Sequence, residues 1–185
     1  MDSEETEIEK IKGKGALNFH AIDDLPVVKE GETIDANSVI RLQFVDDKPL
    51  FPEMELSATD PFLKSIQSSQ KKWVVITDKK GEPKATLNSD SFLRAALFDG
   101  PRFNPLLYCH RPVIVSDEHA TLGKVIPKLK VQPERSDDEV IDKDIIVFWG
   151  SQKRIITGSD ILGRLMRGIV RNQDLDFKKL IPKVA

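Results

Sequence analysis

Two stretches of this chain run through the same succession of signals 70 residues apart. Lys84 and Arg154, Ser89 and Ser159, Asp90 and Asp160, and Arg94 and Arg164 each stand 70 positions from one another. Each set follows two short apolar runs and leads into an amphipathic one. A single match of this kind is within reach of chance. Four in register, inside the same order of helix, strand, strand and helix, predict a duplicated folding unit of α/β class.

The pieces of that unit are legible one by one. "SATDPFLKSIQSS" offers Thr59 or Asp60 as a helix cap with Pro61 at the first helical position, where a missing N–H costs nothing. "KKWVVIT" and "KATLN" read as strands around the turn "DKKGEP". "SDSFLRAALF" puts Phe92, Leu93, Ala96 and Leu97 on one helical face. In the second copy "VIV" is a strand, and "ATLGKVIPKL" is a helix that Pro127 kinks or delays. "IIVFW" and "RIIT" form a hairpin around "GSQK", and "SDILGRLMRGIV" is a helix with Ile161, Leu162, Leu165, Met166 and Ile169 inward. The expected layout is a tail over 1–15, an irregular arm over 16–50 with one strand ("SVIRLQFV"), repeat 1 over 51–102, repeat 2 over 103–171, and an extension over 172–185. The polar run "KVQPERSDDEVIDKD" reads as a surface loop.

Composition narrows the function classes. The 28 Lys and Arg against 30 Asp and Glu leave a formal net charge of −2, which argues against a nucleic-acid or anionic-lipid binder. A lone cysteine, Cys109, forms no internal disulfide. The acidic-then-basic start has no apolar core and does not read as a signal peptide, and no apolar run nears the roughly 20 residues of a membrane span, so the expected location is cytoplasmic. Gly-rich phosphate loops, G-x-S-x-G and H-E-x-x-H are absent from the sequence, and the reading is not of an enzyme.

A helix, two strands with a short turn, and a helix opening on "TGSD" resembles the CBS domain, the cystathionine-β-synthase type. The second copy carries the better match, in "PVIVSDEHATLGKVI" and "DIIVFWGSQKRIITGSDILGRL". The resemblance implies a CBS-domain pair, two β-α-β-β-α repeats in pseudo-twofold arrangement. It also implies a regulatory, ligand-sensing module binding AMP, ADP, ATP or S-adenosylmethionine between the repeats, without a catalytic cofactor. Asp160 would take the ribose hydroxyls, Thr157 and Ser159 would supply hydroxyls, and Pro112, Val113, Ile114 and Ile155 would line the adenine slot. Arg154 stands where the family has a small residue, and would either meet a phosphate or fill the cleft with its stem. In the first copy Lys84, Ser89 and Asp90 make a weaker second site, because Leu87 stands where Thr157 stands in the second. A homodimer and a regulated protein partner of unknown identity complete the expectation. The alternative is a ligand-free interaction or dimerisation module with its clefts filled by Lys84 and Arg154.

Elementary chemistry suits the corner independently. An ionised carboxylate accepts from two vicinal hydroxyls, a helix start presents unpaired N–H groups to a phosphate, and Gly158 leaves the main chain approachable. Plainer roles compete for the same residues. Thr157, Ser159 and Asp160 can cap a helix, and Arg94 and Arg164 can pair with the aspartate four before each. Trp73 and Trp149 sit in apolar strands and read as core. His20, His110 and His119 lack metal-ligand spacing with Cys109, and the adjacent Cys109 and His110 make a poor nucleophile pair. Asp137, Asp138 and Glu139 read as solvated, while Arg164, Arg167 and Arg171 line the polar side of an amphipathic helix.

Overall fold

The computed structural model describes residues 22–130 and 140–177, with side chains in the last helix through Arg167. The tail over 1–15, His20, the acids Asp137 to Glu139 and residues 178–185 lie outside the described residues, as do the side chains of Ile169 and Arg171.

The protein is of mixed α/β class. Seven strands form one sheet in the order β1-β9-β8-β7-β6-β5-β2, where β1 is Glu32–Thr33, β2 Val39–Arg41, β5 Trp73–Thr77, β6 Pro83–Asn88, β7 Cys109–Val115, β8 Ile141–Trp149 and β9 Lys153–Thr157. A separate hairpin joins β3 (Gln43–Val45) to β4 (Lys48–Leu50). Helices are α1 (Pro61–Ser68), α2 (Ser89–Phe98), α3 (Leu122–Val125) and α4 (Gly158–Phe177).

The sheet passes twice through one pattern. β2 runs parallel to β5, which is antiparallel to β6, and α2 follows; β7 runs parallel to β8, which is antiparallel to β9, and α4 follows. The two triplets meet at the short antiparallel pairing of β6 with β7, through Thr86 with His110 and Leu87 with Cys109. Chain length forces the sheet to curl. A flat sheet of seven strands would hold its edges about 29 Å apart. The six steps from Thr33 on one edge to Val39 on the other reach at most about 20–22 Å.

Side-chain alternation sorts the sheet into two faces. Val74, Ile76, Ala85, Leu87 and Cys109 join Phe92 and Ala96 of α2 and Leu63 and Ile66 of α1 in a first core. Ile146, Phe148 and Ile156 join Leu122 and Val125 of α3 in a second, with Val27 of the arm. The inner, concave face buries Ile145, Val147 and Ile155 against Ile34, Trp73 and Trp149. Both tryptophans are half-buried and cover this cluster from its margin.

Several sequence expectations change. The first triplet takes its leading strand from 39–41, inside the stretch assigned to the arm, and the described part of the arm holds four short strands in place of one. "SVIRLQFV" breaks at Leu42, and the β3–β4 turn is made by Asp46 and Asp47, both at positive φ (49° and 58°), the backbone a tight two-residue hairpin requires. The end of the expected polar loop is the start of β8, with Val140 buried in the first core. Asp142 there meets Arg111 of the neighbouring strand at 3.1 Å and Lys130, outside the sheet, at 3.7 Å. Pro127 shortens the expected helix to α3 and a following 3-10 turn, Ile126–Lys128. Leu162 and Met166 are not inward; they are 58% and 50% exposed.

Candidate functional site

The corner between β9 and α4 is self-supporting. The Thr157 N–H and its hydroxyl both donate to Asp160 Oδ2, each at 2.8 Å. This is half of a capping box, with the acid at the third helical position reaching back to the residue before the helix. No described residue donates to Asp160 Oδ1. Ser159 is exposed, and a Cβ built on Gly158 would meet nothing within 4 Å, so the main chain at the corner is open.

The proposed adenine-slot residues do not share one lining. Ile114 and Ile155 both pair with Val147 and so flank it on the inner face; Ile155 is buried and Ile114 is 43% exposed. Val113 pairs with Ile146 and packs in the second core, on the helix side of the sheet. Pro112 sits in the irregularity between Arg111 and Val113, where a proline in a strand costs no ladder bond. Period-two alternation separates neighbours that the sequence presents as a run.

Arg154 lies on the helix side, where the arm engages it. Its Nη1 donates to the Gly31 carbonyl at 3.1 Å and the Glu30 carbonyl at 3.5 Å. Beside it, Arg164 donates from Nε and Nη2 to the two carboxylate oxygens of Glu30, both at 2.8 Å. Arg164 thus pairs with Glu30 of the arm and not with Asp160 four residues before it. Glu30 is almost wholly buried, its side chain 6% exposed. The arm approaches closely here because Gly31 has no side chain: at φ +70° a Cβ would stand 2.1 Å from the Ile155 carbonyl oxygen. Sequence reasoning missed Glu30; the one signal was the glycine after it in "KEGET", where a chain turns tightly against a neighbour.

The first corner is built from different residues. Asn88 caps α2, its side chain accepting from the Ser91 N–H at 3.2 Å, and Ser89 donates to the Lys71 carbonyl. Lys84 and Asp90 are exposed. From the second strand of each hairpin onward, packing equates the units at a separation of 69, one less than the sequence matches: Leu87 with Ile156 (156 − 87), Phe92 with Ile161, Ala96 with Leu165, and the residue before each helix, Asn88 with Thr157. By that register Asp160 corresponds to Ser91, so the first corner has no carboxylate at the position.

At the seam His110 Nδ1 meets the Asp144 oxygens at 2.8 and 3.0 Å. Cys109 faces the first core while His110 faces inward, so these sequence neighbours point to opposite sides of one strand. Burial pushes the Cys109 thiol up to about 12, against the opposing pull of Arg111. Among the described residues no three His, Cys, Asp or Glu side chains gather as a metal would need, and no helix is long and apolar enough to cross a membrane.

Two surface grooves lie elsewhere, one of about 400 Å³ bordered by Phe51, Met54, Phe103 and Leu106, the other of about 380 Å³ beside Arg94, Phe98 and Tyr108. Neither reaches Thr157 or Asp160. The chain matches no protein-family model and no curated protein sequence.

Proposed function

We propose that the chain is a CBS-type pair acting as a cytoplasmic regulatory module, and that the corner of its second triplet binds the ribose of an adenosine-containing ligand. Two observations support the family reading: the doubled order of parallel pair, hairpin and helix, and the "TGSD" corner that follows the second hairpin. The ligand reading is carried by Asp160. One carboxylate oxygen is held by Thr157, which fixes the side chain; the other faces no described donor. A carboxylate fixed by one oxygen, with no described donor on the other, suits a ligand that donates from paired hydroxyls.

Calorimetric titration with AMP, ADP, ATP and S-adenosylmethionine tests the reading. Asp160→Asn keeps an acceptor for the Thr157 N–H while removing the charge, so it separates ribose binding from capping. It is expected to weaken binding at least tenfold, with Asp90→Asn without effect. Millimolar silence from all four ligands overturns the reading.

A specific observation favours a second reading, an interaction module. The helices that end the two triplets expose apolar side chains: Leu162 and Met166 on α4, Leu97 and Phe98 on α2. Nucleotide-independent self-association by light scattering, lost in Met166→Glu, supports this reading; a monomer at all concentrations removes it.

A further inference from the structure

The arm carries a carboxylate into the place beside the corner where a ligand's anionic group would lie. We propose that Arg164, with Arg154 next to it, is an anion-binding clasp for a phosphate chain, and that Glu30 is its built-in competitor. This rests on the reading of the corner as a ligand site and adds the group that recognises phosphate and the device that regulates access.

Three features carry it. First, the pairing is the fork-to-fork arrangement, two charge-assisted bonds at 2.8 Å, by which a guanidinium takes a carboxylate or a phosphate. Second, Arg164 lies one turn beyond Asp160 on the same helix, so an anion held by it and a sugar held by Asp160 lie within one small ligand's length. Third, the segment bearing Glu30 lies at the edge of the sheet, where its backbone pairing is short. β1 is a two-residue edge strand on β9, both its residues are exposed, and the Ile34 N–H to the Lys153 carbonyl, 2.9 Å, closes it. The preceding arm stays anchored, since Val27 is fully buried in the second core and its N–H bonds the Ala120 carbonyl at 2.9 Å. Residues 30–34 therefore form a strap slung between two anchors, buried Val27 before it and Ser38 with β2 after it, with an acid as its latch.

A phosphate chain and the strap cannot occupy the clasp together, so removing the latch must strengthen anion binding. The full chain is titrated with inorganic tripolyphosphate and with ATP, as wild type, Glu30→Gln and Gly31→Ala. Gly31→Ala dislodges the strap by a separate route, because its methyl group meets the Ile155 carbonyl. Both variants are expected to bind tripolyphosphate at least tenfold more tightly than wild type. In wild type, saturating tripolyphosphate is expected to raise hydrogen exchange at the Ile34 amide, a readout that does not depend on either variant folding. Tightened tripolyphosphate binding without preference for ATP upholds the clasp and overturns the adenosine reading. ATP binding that is equal in wild type and both variants, with Ile34 protection unchanged, overturns the competitor and leaves the adenosine reading standing. Silence from every protein with both ligands overturns both.

Discussion

Trp73 stands edge-on against His110 across the seam between the two strand triplets, ring centroids 4.9 Å apart and planes at 89°. Trp73 belongs to the first triplet and His110 to the second, and among the described residues the direct sheet pairing between the triplets is the two-residue ladder of β6 and β7. The contact therefore fastens two halves that share few backbone bonds. A double-mutant cycle of Trp73→Leu and His110→Leu is expected to give a coupling of about 0.5–1.5 kcal/mol, the range for aromatic pairs beyond their burial. Additive effects in urea titrations contradict that role.

Thr86 lies directly beside His110 on the same inner face, and its hydroxyl is buried with no hydrogen-bond partner. A buried polar atom without a partner carries its desolvation cost uncompensated. Thr86→Val keeps the branched shape and removes the hydroxyl, and is expected to stabilise the protein by about 1 kcal/mol. A lower thermal midpoint in the valine variant shows that the hydroxyl is bonded in solution.

Asp60 organises the start of α1. Its Oδ1 accepts from the Phe62 and Leu63 N–H groups and its Oδ2 from the Glu55 N–H. The Leu63 N–H, with those of Glu55 and Phe62, holds the carboxyl below its ordinary value, against the opposing effect of burial. A carboxylate lowered on folding adds stability that is fully present above its unfolded value, near pH 4, and is lost as pH falls through the lower folded one. Stability measured from pH 6 to pH 2 is expected to fall more steeply in wild type than in Asp60→Asn. Parallel acid limbs contradict the assignment.

Cys109 is fully buried, its thiol pushed up to about 12 by that burial. Only the thiolate reacts readily, so native labelling must wait for an opening of the core. Disulfide-exchange reagents at pH 8 are expected to label it at a rate that tracks unfolding, rising with urea. Immediate stoichiometric labelling in buffer overturns the placement.

What could be read in advance follows from how local each signal is. The hairpins around 73–88 and 145–157 and the caps of α1 and α4 depend on neighbours within a few residues, and their sequence patterns name them. The opening of β8, residues 141–144, was hidden because three of its four residues are charged, and the partners of Asp142 and Asp144, Arg111 and His110, lie about 30 positions away. Glu30 escaped for the same reason: Arg164 is 134 positions distant. The repeat was visible but read one residue out of step. Polar identities at the helix starts align at 70, whereas the packing of β6 with α2 and of β9 with α4, which is set by the faces of strand and helix, aligns at 69. A one-residue shift moves every strand side chain to the other face.

That difference can be measured on α4. At the packing register Ile161 takes the place of Phe92 and rests against the second core; at the other, Leu162 does. Ile161→Ala removes apolar contact from that core and is expected to cost about 1–3 kcal/mol, below the full range for wholly buried sites because Ile161 is only partly buried. Leu162→Ala, at a side chain 58% exposed, is expected to stay within about 0.5 kcal/mol in dilute monomer. Phe92→Ala, fully buried among Phe51, Phe62, Phe103 and Tyr108, is expected to cost about 3–5 kcal/mol. If Leu162→Ala proves the costlier of the α4 pair, the helix is rotated by about 100° from its place here, and Arg164 then turns away from Glu30 with it.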